Sequence, residues 1–319
     1  MHYAYPPRKS SNPAPYLPRK SRGGLPPAIR RIRPKTIALI GLAFLAFIYL
    51  IAGRGSSRKS ISVAQHVPSG NPPAVLVTVF DSGKFGAPYV EIVKENRKAY
   101  AEKHGYETFL PHVGDFDLNG APMTWTKVVA LRAALTKYPD AKYFWFLEQD
   151  ALIMNPEISV ENELMKPSNI ENIMIRDHPV VPPDSIIKTF SHLKGQDVDL
   201  VITQDKEGLS TSSFIVRNTE WARFFFETWF DPIYRSYNFQ KAETHALEHI
   251  VQWHPTILSK LALVPQRTIN SYSYHAKGEQ YKEGDNIVRF ATCARNTPAT
   301  CENEQEPYTA TWRALFKSS

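Results

Sequence analysis

WTKVVALRAALTKYPDAKYFWFLEQDALIMNP, residues 125–156, is the stretch whose reading decides the fold. Its first part predicts a helix over 124–138. Val128, Leu131, Ala134 and Leu135 recur at helical spacing, and Pro139 stops the pattern. Residues 142–147 (KYFWFL) then form an apolar, aromatic run of strand length, as expected for a strand covered on both faces. Phe144 and Trp145 within it read as core. The run discharges into Glu148-Gln149-Asp150. Alternate residues of an extended strand point the same way, so Glu148 and Asp150 can face one ligand. Two hard oxygen donors on one side suit a divalent cation shared with a diphosphate. An acidic loop capping the next helix explains the same residues equally well.

Working outward, 74–80 (AVLVTVF) is a strand that ends in the turn Asp81-Ser82-Gly83. Val90, Val93, Tyr100 and Ala101 predict a helix over 89–104, stopped by Gly105. Further strands are expected at 108–110, 200–203 and 214–216, and helices at 220–230 and 243–260. Strands alternating with helices imply an α/β fold with a largely parallel sheet flanked by helices. Ligands of such sheets bind beyond the carboxyl ends of the strands, which favours 148–150 and also Asp205, just past 200–203.

Charge divides the 319-residue chain. Twelve of its 38 Lys and Arg precede residue 60, and no Asp or Glu does, so the remainder carries about −5. A nucleic-acid-binding domain would need its basic patch on the folded part, and that class is excluded. Residues 1–35, with eight prolines, read as a disordered basic cytosolic tail. Residues 36–53 (TIALIGLAFLAFIYLIAG) carry no charge, and their 18 residues lie at the short end of the roughly 17–25 that span a bilayer. A cleaved signal peptide and a buried core helix are the competing readings. The excess of basic residues before the segment favours a cytosolic N-terminus and a body on the far side of the membrane. Residues 54–73 read as a stem and 74–319 as the folded body. Cys293 and Cys301 are the only cysteines; they read as a short-loop disulfide in an oxidising lumen or as two buried thiols.

The stretch 125–156 resembles glycosyltransferase family 34, whose members carry W-x-K, a helix, and an aromatic-rich strand ending in Asp-x-Asp-Ala. GLSTSSFIVRNTEW (208–221), HALEHIV (245–251), VPQRTINSY (264–272) and GDNIVRFATC (284–293) are similar to further family segments, in the family's order. The likeness covers most of 74–319 and is nearest the fungal α-1,6-mannosyltransferase branch, subunits of a Golgi complex that extends mannan. The family also holds α-galactosyltransferases and xyloglucan xylosyltransferases. The resemblance implies a GT-A fold, a single-pass type II Golgi topology, a nucleotide-sugar donor, Mn²⁺ (or Mg²⁺), and retention of anomeric configuration.

Carried over residue by residue, the resemblance implies metal ligation by Glu148 and Asp150, with Glu148 standing where the family has Asp. The family's late metal-binding His falls on Arg289, which has no lone pair for a metal. Arg289 can instead hold the donor's diphosphate directly, or pair with a sheet-edge acid. Ser210 and Ser212 replace an amide and a glycine near the donor sugar. Glu243, in Glu243-Thr244-His245, matches an acid near the acceptor and donor sugar, or is an acid of a first helical turn. His245 and His249 read as structural. Lys127 of the W-x-K match faces the diphosphate or is solvated. Asp205 contacts the sugar or serves as base for an acceptor hydroxyl. Cys293 and Cys301 match the family's C-terminal cysteine pair.

The activity expected is α-mannosyl transfer from GDP-mannose to a mannan or N-glycan acceptor, in company with other mannosyltransferase subunits. UDP-galactose is the rival donor. A front-face displacement is favoured over a carboxylate nucleophile, because no isolated carboxylate demands the latter. A non-catalytic glycan-binding or scaffold subunit is the reading from another class.

Overall fold

A computed structural model describes residues 34–53, 66–181, 185–274, 278–293 and 298–318. The chain divides into two units, Met1–Gln65 and His66–Ser319. In the first, the described residues form one helix, α1 (Pro34–Gly53). Leu39, Phe44, Leu45 and Phe47 are exposed on it. The unbroken run of described side chains is 38–49, and among the described residues no helix is long and apolar enough to cross a membrane. The anchor expected at 36–53 is thus not established by the fold. Most of the expected tail and the first part of the stem lie outside the described residues.

The second unit is α/β. Its main sheet has the order β2-β1-β3-β6-β5-β7, with β1 Ala74–Val77, β2 Glu107–Phe109, β3 Tyr143–Leu147, β5 Leu200–Asp205, β6 Gly208–Arg217 and β7 Leu261–Val264. Only β6 runs against the others. A second, two-stranded ribbon pairs β4 (Ala151–Ile153) with β8 (Ile287–Arg289).

Strand alternation sorts the core into two layers. Val75, Val77, Phe144, Phe146, Phe214 and Val216 pack under α3 (Thr126–Lys137), α5 (Glu220–Trp229) and α7 (Ala242–Trp253). Leu76, Trp145, Leu147, Val201 and Ile215 face the other way, with Tyr100 and Ala101 of α2 (Ala87–His104) and Ile170 of α4 (Pro167–Ile173). The expected core residues Phe144 and Trp145 are fully buried. Helix α2 ends as expected at Gly105, whose φ of 67° is the left-handed conformation that glycine adopts without a Cβ clash.

A third apolar cluster joins Tyr89, Val90 and Val93 of α2 to Leu152 and Met154, Val288, Phe290 and Trp312. It packs the ribbon against α2 and a C-terminal helix, α9 (Pro298–Ser318). Cys293 and Cys301 form a disulfide at its edge, which settles the thiol alternative. Three expectations need correction. The strand expected at 214–216 is the ten-residue antiparallel β6. The helix expected over 243–260 breaks at His254 because Pro255 cannot continue it, so α7 gives way to the short α8 (Pro255–Leu258). Residues 66–73, expected in the stem, reach the body at Gly70, whose N–H donates to Asp140 O at 2.8 Å.

Candidate active site

Strand β3 ends at Leu147, and Glu148-Gln149-Asp150 form the turn into β4 rather than a continued strand. The alternation that would aim both carboxylates at one ligand therefore stops one residue short. What fixes the turn is a set of buried groups. Arg97 of α2 donates from Nη2 to Glu148 O (3.1 Å) and Ala151 O (2.9 Å), and from Nε to Thr78 Oγ1 (3.2 Å). Tyr89 OH donates to Gln149 O at 3.0 Å, and Asp81 N–H donates to Gln149 Oε1 at 2.9 Å. Burial pulls the Arg97 guanidinium down to about 9, with Tyr89 and Asp150 opposing. Neither Arg97 nor Tyr89 was among the expected site residues. Arg97 nonetheless falls on the buried stripe of α2, four positions after Val93, and a charged residue at a core position is the signal that points to it.

Each carboxylate of the turn meets its own cation. Lys127 Nζ lies 3.2 Å from Glu148 Oε1 and 2.9 Å from Glu243 Oε1. It also donates to Thr211 Oγ1 (3.3 Å) and Thr211 O (3.4 Å). The solvated alternative for Lys127 fails: its side chain is 5% exposed. Burial works against its charge, but the two glutamates outweigh it and hold the ammonium above its ordinary range. Burial likewise raises the Glu148 carboxyl, against the pull of Lys127. Two carboxylates within 3.2 Å of the ammonium favour its charged form.

On the ribbon, register pairs Ala151 with Arg289. Arg289 Nε donates to both oxygens of Asp150, each at 3.2 Å, and Nη1 reaches Tyr272 OH at 3.5 Å. Tyr272 OH donates to Asp205 Oδ2 at 2.5 Å, and the N–H of Glu207 donates to Asp205 Oδ1 at 2.7 Å. Asp205 therefore joins the cluster through Tyr272, with both oxygens engaged. Despite its burial, Asp150 and Tyr272 hold Arg289 above its ordinary value.

The other expected residues divide. Glu243 is 3% exposed; Oε1 takes Lys127 while Oε2 has no hydrogen-bond partner among the described residues. It follows Ala242, whose φ of 42° is strained for a residue with a side chain. Ser212 touches the site through its carbonyl, which accepts from Glu148 N–H at 2.8 Å. Ser210 turns instead to Asn270, whose Nδ2 donates to Ser210 Oγ at 2.9 Å. His245 accepts from Lys241 N–H (3.3 Å), and the exposed His249 lies among Tyr234, Phe239 and Trp253, in keeping with structural roles.

Two clefts flank the 122–127 segment. One, about 470 Å³ including its mouth, is lined by Asp81, Lys84, Thr126, Lys127, Glu148 and Gln149. The other, about 1070 Å³ on the same measure, is lined by Gly120, Trp125, Arg235, Tyr237, Phe239 and Ala242. The smaller one borders the charged cluster.

Residues 70–300 match the galactosyl transferase GMA12/MNN10 family. The chain belongs to this family. Among its relatives is the "Uncharacterized alpha-1,2-galactosyltransferase C8D2.17" of Schizosaccharomyces pombe, 32% identical over 81% of this chain and 80% of that protein. The "Alpha-1,2-galactosyltransferase" of the same yeast is 32% identical over 65% of this chain and 56% of its own length. The "Probable alpha-1,6-mannosyltransferase MNN11" of Saccharomyces cerevisiae is 30% identical over 73% and 60%. A solved glycosyltransferase involved in glycosylation of the PBCV-1 major capsid superposes with a TM-score of 0.46 and 13% identity, over 73% of this chain and 98% of that one. As a member of the GMA12/MNN10 family the chain is a glycosyltransferase, and it is similar to both galactosyl- and mannosyltransferases.

The expected Mn²⁺ or Mg²⁺ meets an unsuitable donor set. Among the described residues no group of three or more His, Cys, Asp and Glu side chains converges as a metal shell requires. Arg289 spans both oxygens of Asp150, and Lys127 holds Glu148. A divalent ion about 4 Å from a fixed guanidinium meets a repulsion of roughly 8 kcal/mol at an effective dielectric of about 20. At each carboxylate the resident cation thus opposes the attraction a metal would use. The residues present do not fit the metal.

Proposed function

We propose that the chain transfers an α-hexosyl unit, mannose from GDP-mannose in the first instance, to a mannan or N-glycan acceptor with retention at C1. The observation that carries this reading is Glu243. It is a buried carboxylate paired with Lys127, with one oxygen unused, beside the turn that closes β3. Oε2 is closed to solvent, and a sugar hydroxyl entering beside Ala242 is the donor we assign to it, fixing the ring against its acceptor. In the front-face route the bond from C1 to the phosphate oxygen breaks, the acceptor oxygen bonds to C1, and the acceptor's proton passes to the leaving phosphate. The chain's own task is to position the sugar and stabilise the departing diphosphate.

The larger cleft suits the acceptor. Tyr237 and Phe239 stack there at 5.3 Å, with Tyr237 66% exposed, and the cleft reaches Ala242 beside Glu243. Rigid aromatic faces with a polar rim are what a glycan requires. UDP-galactose is the second donor to weigh, because the relative at 32% identity over most of both chains bears a galactosyltransferase name.

We further propose a single-pass type II topology in the Golgi membrane, alongside other mannosyltransferase subunits. The sequence supports this: the 18 uncharged residues 36–53 would rise about 27 Å as a helix, near the thickness of an early secretory bilayer. The disulfide fits an oxidising lumen.

The test is transfer of labelled sugar by the purified full chain from GDP-mannose and from UDP-galactose to an oligomannose acceptor. We expect product from GDP-mannose. Product from UDP-galactose alone replaces the donor, and no product from either donor sinks the proposal.

A further inference from the structure

We infer that this chain holds the donor's diphosphate with the Arg289 guanidinium instead of a divalent cation, so that nucleotide binding needs no metal. The inference rests on the nucleotide-sugar reading above and goes beyond it, because it assigns the charge that the diphosphate meets.

Arg289 is held rather than loose. Its Nε is committed to Asp150, the Tyr272 ring lies 5.6 Å from its Cζ, and the Tyr272 hydroxyl is itself tied to Asp205. What this leaves is the outer edge of the guanidinium. Nη2 has no hydrogen-bond partner among the described residues, Nη1 has only the 3.5 Å contact to Tyr272, and the side chain is 16% exposed. A planar fork anchored at Nε and open at its Nη edge can give two parallel N–H bonds to a phosphate, and it keeps its charge at every relevant pH. Lys127 does not compete for this role, because two glutamates and Thr211 surround its ammonium. A metal does not compete either, because both Asp150 oxygens already accept from Arg289.

Calorimetric titration of the full chain with GDP and with UDP, in excess EDTA and then in excess Mn²⁺, tests the inference. We expect one nucleotide to bind in EDTA, with a Kd that Mn²⁺ changes by less than about threefold. Mn²⁺ alone should give neither heat nor a shift in unfolding temperature. Arg289→Gln should weaken that nucleotide by about ten- to a hundredfold. Arg289→His, which supplies a lone pair, should bring a response to Mn²⁺ that the unaltered chain lacks.

Binding that appears only with Mn²⁺, or tightens more than about tenfold on its addition, overturns the inference and leaves the transferase reading intact. So does native affinity in Arg289→Gln. Absence of binding by both nucleotides under both conditions counts against the donor reading itself. Should Arg289→Gln fail to fold, the EDTA comparison on the unaltered chain decides alone.

Discussion

Beside the buried Arg97, two cations meet the acids at the end of the sheet, buried Lys127 and half-buried Arg289, and they are built to different purposes. Lys127 stands on the first turn of α3 between two carboxylates, Glu148 and Glu243, so its node has one negative charge more than it needs. Its three N–H donors are matched by Glu148, Glu243 and Thr211. Arg289 stands on the ribbon against one carboxylate, with a tyrosine as second partner, and keeps an edge of its fork free. The first node closes the interior, tying α3, the β3 turn and α7 together. The second presents a charge outward. A saturated cation is a structural device that holds acids in place, whereas an unsaturated one is a ligand site. The pair shows why counting carboxylates near a strand end misleads about metals: what matters is whether those carboxylates are already paired.

The sharpest way to break this contrast is to remove each cation in turn. Lys127→Met leaves buried Glu243 and half-buried Glu148 without a counter-charge and should cost about 3–5 kcal/mol of stability. Arg289→Gln strands one carboxylate, Asp150, rather than two, and should cost about 1–3 kcal/mol while losing nucleotide affinity. Denaturant unfolding of both variants measures the difference. If Arg289→Gln proves the more destabilising, the division into structural and binding cation is wrong.

How much of this contrast could be read without coordinates depends on which link carried the information. Periodicity placed α2, α3 and β3 within a few residues, because Val90, Val93, Val128 and Leu131 have their partners nearby in sequence. Five residues singled out in advance, Lys127, Glu148, Asp150, Glu243 and Arg289, do gather at one end of the sheet. The ribbon was invisible: Ile287-Val288-Arg289 is three residues long, and its partner β4 lies far away in sequence. The C-terminal helix was hidden by Pro307, which reads as a breaker but lies inside α9. An acid partner for Arg289 was legible as an alternative, and Asp150 fills it; which acid each cation takes was hidden, since it depends on where α3 and β8 approach the same turn. Strand alternation at Glu148 and Asp150 and the resemblance together supplied the expectation of a metal; the Arg289 position supplied the counter-signal, legible from residue type because a guanidinium cannot ligate.

Glu243 tests the same contrast from the acid's side. Because Lys127 has two carboxylates, losing the charge of one leaves a balanced pair with Glu148. Glu243→Gln should therefore change stability by less than about 1 kcal/mol, well below the cost of Lys127→Met. Its effect belongs in turnover: kcat should fall by roughly a hundredfold with little change in nucleotide Kd, if Oε2 fixes the sugar in the transition state. A fall in stability with unchanged kcat would make Glu243 a strut of the Lys127 node and nothing more.

Tyr272→Phe gives the smallest expected effect and the finest cut. The hydroxyl donates to Asp205 and lies 3.5 Å from Arg289 Nη1, so its loss removes one hydrogen bond and leaves Asp205 Oδ2 to solvent. Asp205 is half-buried, so the cost should be about 1 kcal/mol in denaturant unfolding. The ring stays beneath the guanidinium, and the Asp150 pairing is untouched. Nucleotide affinity should then weaken by less than about tenfold, which separates loosening the fork from removing it. A loss as large as that of Arg289→Gln would mean that the tyrosine hydroxyl, not the guanidinium edge, meets the diphosphate.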